Sequence, residues 1–357
     1  MSEATIDADK LRAFSGTVWG YKQGEMVSML IQIGDRLGLY KAMDGAGSMT
    51  AADLANKTGL QERWLLEWLR GQAAARLVQS RDGENFELSA EGAHVLADED
   101  GSLAFAAGAF SGGTPPDTID KLLIAFKTGI GLSYEDLGPN AAHRTERMLG
   151  PWTKQEFVPN IIPALDGVQS KLETGAVGAD VGCGGGVALI AMATAFPNSE
   201  FHGYDPSGHA IARCQDKVDE LGLTNVKLFI AGGEALPESP TYDFLITFDC
   251  LHDMTQPGEV IGSIKQALKD DATWLIKDIR SHPDFKENMR NPFLAMFYGF
   301  SVSACMSSAL SEPGGAGLGT LGFNPAVARE MVTGAGFSHF TEHDFEDPSN
   351  MYYEVKP

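Results

Sequence analysis

Basic residues are scarce: 27 Lys and Arg face 48 Asp and Glu in 357 residues, a net charge of −21. Such a surface repels phosphate backbones and anionic lipid and offers nucleic acid no electrostatic footprint, so the expected partner is a small molecule. Cysteine is scarce as well. Cys183, Cys214, Cys250 and Cys305 lie 31, 36 and 55 residues apart, spacings that match neither a zinc site nor a disulfide framework. Reduced thiols and no metal are expected, and the scattered histidines form no HExxH or His-x-His pair. No apolar run approaches the roughly 20 residues needed to span a bilayer. The opening MSEATIDADKLRAF has neither the basic nor the apolar region of a secretory signal, so no membrane association and a cytoplasmic location are expected. Apolar residues are plentiful at 43%, enough for two cored domains at about 100–200 residues each.

Residues 20–43 carry Met26, Met29, Leu30, Ile33 and Leu37 at helical spacing and predict a buried helix. Thr50 in MTAADLANKTGL is placed to cap a short helix ending near Gly59. QERWLLEWLRGQAAARLV predicts a longer helix with Trp64, Leu65, Trp68, Leu69 and Leu77 on one face, and alternation around NFELSAEG predicts a small hairpin. Three helices followed by a wing make a winged-helix unit over residues 1–100. Winged helices often read DNA, but residues 1–100 hold 10 basic and 16 acidic side chains. Dimerisation and substrate capping are the expected roles, with a homodimer formed through this domain. Residues 101–165, with the turn GGTPPD and prolines at 151, 159 and 163, predict a helical connector and pocket lid broken into short pieces.

From residue 176 the rhythm becomes strand, helix, strand. VGADV, EFHGYD, VKLFIAG, DFLITFDC and TWLIKDI alternate with helical stretches, the pattern of an α/β doubly wound parallel sheet. FTEHDF and MYYEVKP, joined by EDPSN, predict a terminal hairpin whose last strand runs antiparallel to its neighbours.

The first strand ends in GCGGG, residues 182–186. Bare backbone there permits a tight turn and close approach of a ligand. The motif is not GxGxxG, no Arg or Lys lies near it, and Asp180 precedes it, all of which disfavour a diphosphate. Asp205, ending the second strand, stands where a carboxylate accepts from both hydroxyls of a ribose. A ribonucleoside without phosphates, with a cationic sulfonium, satisfies both acids; S-adenosylmethionine fits.

ADVGCGGG, the acid of GYDPS and FDCLHDM resemble the signature motifs of class I S-adenosylmethionine-dependent methyltransferases. WGYKQGE, LRGQAAARLV, WLIKDIR, SEPGGAGLGTLGF and MYYEVKP extend the resemblance over the whole chain, to the bacterial group with an N-terminal winged-helix domain. It implies a Rossmann-like seven-stranded methyltransferase sheet over 166–357. It further implies that Asp180, Gly182, Cys183, Gly184 and Gly186 surround the methionine part of the cofactor, Asp205 the ribose, and Pro206 and Ser207 the adenosine. Asp249 and Cys250 of FDCLHDM join this set. Many relatives hold the adenine amine with an aspartate after the third strand; here AGGEALP offers Gly233 and Glu234 instead.

Methyl transfer is an in-line displacement, served mainly by alignment, which supplies on the order of 7–11 kcal/mol. A base helps only if the acceptor must lose a proton. His252, past the fourth strand, is the candidate base, and Asp253 could orient it or cap the next helix. Arg280 could hold an acceptor carboxylate, and Tyr21 could reach the site from the lid, as could His143 and Arg144. The insertion 285–323 predicts a pocket wall, with a mobile glycine tract at 314–322 closing it. The leading expectation is methyl transfer to a small sulfur compound, thiol or thioether, since sulfur needs little or no base. The alternatives are an O-methyltransferase using His252 and an S-adenosylmethionine-sensing transcription regulator.

Overall fold

The computed structural model describes residues 6–111 and 115–357, which fall into two compact units, one ending at Ser111 and the other covering the remainder. The expected connector 101–165 is therefore shared between them. Phe105 and Ala107 pack into the first core, whereas Phe157 and Ile161 pack into the second. Residues 112–114 of the GGTPPD turn lie outside the described residues. No described helix is long and apolar enough to cross a membrane.

The first unit opens with the helix Ala8–Arg36, started by Asp7, whose Oδ1 accepts from the N–H groups of Asp9 and Lys10. It begins well before residue 20 and buries only Ile31 and Gly34. Met26, Met29, Ile33 and Leu37 stay exposed, because only the C-terminal end of the helix meets the rest of the unit. Thr50 and Asp53 form a reciprocal capping box on Ala51–Thr58, which ends at the left-handed Gly59. The helix Glu62–Ala74 buries Leu65, Trp68 and Leu69 but leaves Trp64 79% exposed. The wing is small: β1 (Met49–Thr50) pairs antiparallel with β2 (Asn85–Phe86), and Gln79 bridges Glu87.

In the second unit seven strands form one sheet: β3 (Val177–Val181), β4 (Glu200–Asp205), β5 (Val226–Ile230), β6 (Tyr242–Phe248), β7 (Leu268–Ile279), β8 (His339–His343) and β9 (Asn350–Lys356). Their order is β5-β4-β3-β6-β7-β9-β8, with β3 to β7 parallel and β9 antiparallel to both neighbours. Near-continuous apolar strands such as Phe244–Ile246 and Trp274–Ile276 are buried, as expected of a sheet covered on both faces. The chain leaves β3 in one direction and β6 in the other, so a crevice opens at their carboxyl ends.

The prolines of 139–164 do not fragment the chain. The helix Pro139–Trp152 continues through a π-helical segment, Thr153–Ile161, into Ile162–Ala164. The wider turn absorbs the hydrogen bond that Pro159 cannot donate.

Candidate active site

The crevice between β3 and β6 has a volume of about 650 Å³, within the roughly 300–1,000 Å³ of small-molecule sites. Its floor is the loop from β3 into the helix Val187–Ala195. Gly182, Gly184 and Gly186 have φ of 78°, 54° and 80°, a region in which a side chain is strained. A Cβ on Gly186 would stand 2.1 Å from Cys214 Sγ, and one on Gly182 2.8 Å from Cys250 Sγ. A Cβ on Gly184 would meet no atom within 4 Å. The first two glycines are bare because the protein is close; the third is bare with open space before it.

The register Asp180↔Gly203 and Val181↔Tyr204 brings the ends of β3 and β4 level. Gly182 and Cys183 both donate to the Tyr204 carbonyl, at 2.8 and 3.0 Å. Asp205 then accepts from Gly184 N–H at one carboxylate oxygen and from Ser207 N–H at the other, both at 2.9 Å. Each oxygen keeps a lone pair, an arrangement that would suit the two hydroxyls of a ribose. Asp180 is buried, and burial, aided by repulsion from Asp205, pushes its carboxyl up to about 8, against a hydrogen bond from the Leu189 N–H. A sulfonium with an α-ammonium group would reverse that shift, so the residues present fit S-adenosylmethionine.

Asp180, Gly182, Cys183, Gly184, Asp205, Pro206, Ser207, Gly233, Glu234, Asp249 and Cys250 all line the crevice, and Gly186 shapes the loop from behind. Glu234 folds back to accept from Gly232 N–H at 3.0 Å. The Asp249 carboxylate is already committed: it pairs with the buried Lys277, whose Nζ lies 4.9 Å from the centre of the Trp152 ring, and accepts from Asn350 Nδ2. Asp249 also has a φ of 52°, backbone strain of the kind that gathers at functional sites. What Asp249 presents to the crevice is chiefly backbone.

The acceptor side departs further from expectation. His252 is 2% exposed and is not part of the crevice wall. Its Nδ1 lies 2.7 Å from Asp278 Oδ1, and its carbonyl accepts from Gly319 N–H. Burial opposes a charge on the imidazole, but the Asp278 carboxylate, by charge and hydrogen bond, together with Cys305, holds it well above its usual value. The carboxylate fixes the ring through Nδ1, and the imidazole stands behind the crevice wall. Asp253 does line the crevice; burial pushes its carboxyl up to about 7, against His252 and a hydrogen bond with Tyr134.

Arg280 does not reach the crevice wall. Its backbone N–H pairs with the Ser349 carbonyl, its Nε donates to the Asp347 carbonyl at 3.0 Å, and its guanidinium faces Asp344, so the β8–β9 hairpin holds it. Tyr21 belongs to the first unit, on the helix Ala8–Arg36, 73% exposed. His143 meets Arg213 at 2.6 Å and Arg144 lies over the Phe300 ring.

The insertion supplies Ser308, Ser311 and Glu312 to the wall. Its glycine tract is fastened, not loose: Ala316 N–H donates to the Thr255 carbonyl, Gly319 to His252 and Thr320 to Ser301 Oγ. The tract's bare backbone lets it lie against its neighbours, for a Cβ on Gly315 would fall 2.1 Å from the Ala309 carbonyl oxygen. Sequence reasoning missed Tyr134, Glu135 and Glu146, which also line the crevice; SYEDLG carries no motif that would have marked them.

Residues 173–310 match the profile of a methyltransferase domain, and residues 25–98 that of an Rv2258c-like winged HTH domain. No curated protein matches the chain by sequence. Among solved structures it resembles a candidate O-methyltransferase from Nostoc punctiforme (17% identity, TM-score 0.71, 99% of this chain and 100% of that one). It also resembles human N-acetylserotonin methyltransferase in complex with S-adenosylmethionine (16%, 0.64, 100% and 99%) and the mitomycin 7-O-methyltransferase MmcR (17%, 0.64, 98% and 100%). These likenesses are of fold, and they agree with the two matched domains and with the crevice chemistry. The chain thus carries a methyltransferase domain behind a winged-helix domain, and its fold is that of class I S-adenosylmethionine-dependent methyltransferases.

Proposed function

We propose that this methyltransferase acts on a small molecule whose accepting atom is a neutral sulfur, most simply a thioether. One observation carries the reading. Nine carboxylate side chains line the crevice, and no Lys, Arg or His is among the described residues that do so. Of the nine, Asp249 pairs with Lys277, Glu146 with Arg213 and Glu135 faces His209, while burial raises Asp180 to about 8 and Asp253 to about 7, which leaves Asp205, Glu234, Glu259 and Glu312 to set the sign of the field. A field of that sign raises the pKa of a hydroxyl or thiol and so opposes an anionic nucleophile. Transfer to a thioether needs no anion: the positive charge passes from the cofactor sulfur to the acceptor sulfur. That His252 stands behind the crevice wall agrees, because no proton has to be removed.

The test is a panel of thioethers, thiols, phenols and amines screened for S-adenosylhomocysteine release, with His252→Ala beside the wild type. Thioether turnover, reduced less than about ten-fold in His252→Ala, supports the reading, since a general base is worth roughly 100- to 10,000-fold. Turnover of hydroxyl compounds alone sinks it.

A second reading, transfer to oxygen, is favoured by the O-methyltransferases among the solved relatives and by Asp253, a crevice carboxyl near neutrality that could serve as base. It predicts loss of activity in Asp253→Asn and a rate rising through pH 7. The proposed partner of the first unit is a second copy, seated on the exposed apolar residues of the helix Ala8–Arg36, such as Phe14 and Trp19. Sedimentation equilibrium checks this, and a gel-shift at low salt checks the proposed absence of nucleic-acid binding.

A further inference from the structure

The loop from Gly131 to Gly138 is a part of the crevice wall to which no motif drew attention. It is fastened to the insertion: Gly131 N–H donates to the Leu310 carbonyl at 2.9 Å and Leu132 N–H to Ser307 Oγ at 2.7 Å. A Cβ on Gly131 would lie 2.0 Å from the Ser307 carbonyl oxygen, so only glycine allows this contact. Ser133 closes the loop on itself, donating through N–H and Oγ to Asp136 Oδ2.

Two adjacent side chains then serve opposite halves of the crevice. Glu135 turns to the cofactor half, accepting from Ser207 Oγ at 2.8 Å and facing His209 Nε2 at 3.3 Å. Tyr134 turns to the acceptor half, where its hydroxyl hydrogen-bonds with Asp253 and Cys305. With the hydroxyl anchored in the wall, the part of Tyr134 left to meet a ligand is the ring. Phe248 also lines the crevice, but it packs edge-on against Phe157 at 4.9 Å and Trp152 at 5.4 Å and is itself buried. Tyr134 is the other aromatic among the described lining residues.

We propose that Tyr134 contacts the acceptor through its ring face, which receives the sulfur as it becomes a sulfonium, and that Asp253 is the positioning residue that holds the ring by its hydroxyl. The inference rests on the sulfur reading above. In the reaction the carbon–sulfur bond to the cofactor breaks as the bond to the acceptor sulfur forms. The broken pair stays on the cofactor sulfur, the acceptor gains the positive charge, and no proton moves. An aromatic face in a carboxylate-lined cleft attracts such an onium centre. The same face would hold the onium product, so product release is expected to be slow relative to a neutral product.

The test is calorimetric titration of trimethylsulfonium into the full-length enzyme saturated with S-adenosylhomocysteine. Wild type should bind it, Tyr134→Phe should stay within about three-fold, and Tyr134→Leu should weaken it about ten-fold, the size of one cation–π contact. S-adenosylhomocysteine affinity within about two-fold in every variant certifies the fold, a change far below the ten-fold expected from one such contact. In turnover, Tyr134→Leu should raise the thioether KM and leave the S-adenosylmethionine KM unchanged, with Tyr134→Phe restoring most of the loss. Unchanged binding in Tyr134→Leu, or no binding of trimethylsulfonium to wild type that does bind S-adenosylhomocysteine, overturns the assignment. Thioether turnover without trimethylsulfonium binding spares the sulfur reading and removes Tyr134; ring-dependent binding without thioether turnover does the reverse.

Discussion

Replacing Asp180 by asparagine should make the ligand-free protein more stable and deprive it of most of its affinity for cofactor. Asp180 is buried on β3, and its carboxyl is displaced from 3.8 to about 8, by burial first and by Asp205 second. That interval corresponds to roughly 6 kcal/mol as an upper bound. The direction follows from which state holds the proton. The unfolded chain releases it above 3.8 and the folded protein only near 8, so the folded state is increasingly penalised as pH rises between those values, with the full penalty above 8. At pH 7 the bound is roughly 4 kcal/mol, and relaxation around a real buried charge brings the expectation to about 2 kcal/mol. Asparagine is nearly isosteric and its Oδ1 can still accept from the Leu189 N–H. Its Tm at pH 7 should therefore rise by roughly 4–8 °C, by more at pH 8, and hardly at all at pH 4. Binding of the cationic cofactor to wild type should expel the Asp180 proton, so affinity should increase up to about ten-fold per pH unit below pH 8. The variant should bind weakly with a flat profile. Scanning calorimetry at the three pH values, and titration calorimetry in buffers of different ionisation enthalpy, read both effects. An asparagine variant less stable than wild type at pH 8, or a wild-type affinity indifferent to pH, would refute the reasoning.

Two further substitutions probe the scaffold. Gly186→Ala meets Cys214 Sγ at 2.1 Å with a φ of 80°, so urea unfolding should show a loss of roughly 2–4 kcal/mol. Gly184→Ala, with open space before it, should lose only about 1 kcal/mol and act mainly on S-adenosylhomocysteine affinity. Asp249→Ala strands the buried Lys277 and should cost about 3–5 kcal/mol, whereas the pair Asp249→Asn with Lys277→Met should cost much less; a double-mutant cycle in denaturant measures the difference.

Local signals were legible wherever one residue type does one physical job. The cap at Thr50, the left-handed end at Gly59, the glycine turn after β3 and the acid closing β4 each depend on neighbours within a few positions, and each stands where the spacing placed it. Amphipathic periodicity was a poorer guide to burial. Met26, Met29 and Trp64 sit on apolar helical stripes yet are exposed, because a stripe says which residues face together and not what covers them. The prolines misled for a related reason: the chain stays helical past Pro151, and the π-helical turn at Thr153–Ile161 accommodates Pro159 without ending the helix.

The sequence by itself determined the sheet, the glycine turn after β3 and the place of the acid that closes β4, because these arise from alternation of strands and helices and from short-range backbone needs. Only the tertiary structure decided the acceptor side. His252 was visible in the sequence, but Asp278, brought to 2.7 Å from it by the pairing of β6 with β7, is what fixes its ring behind the crevice wall. Tyr134, which meets Asp253 across more than a hundred residues, had no signal in its own neighbourhood, for a contact of that separation is written in the packing of the chain and not in its spacing.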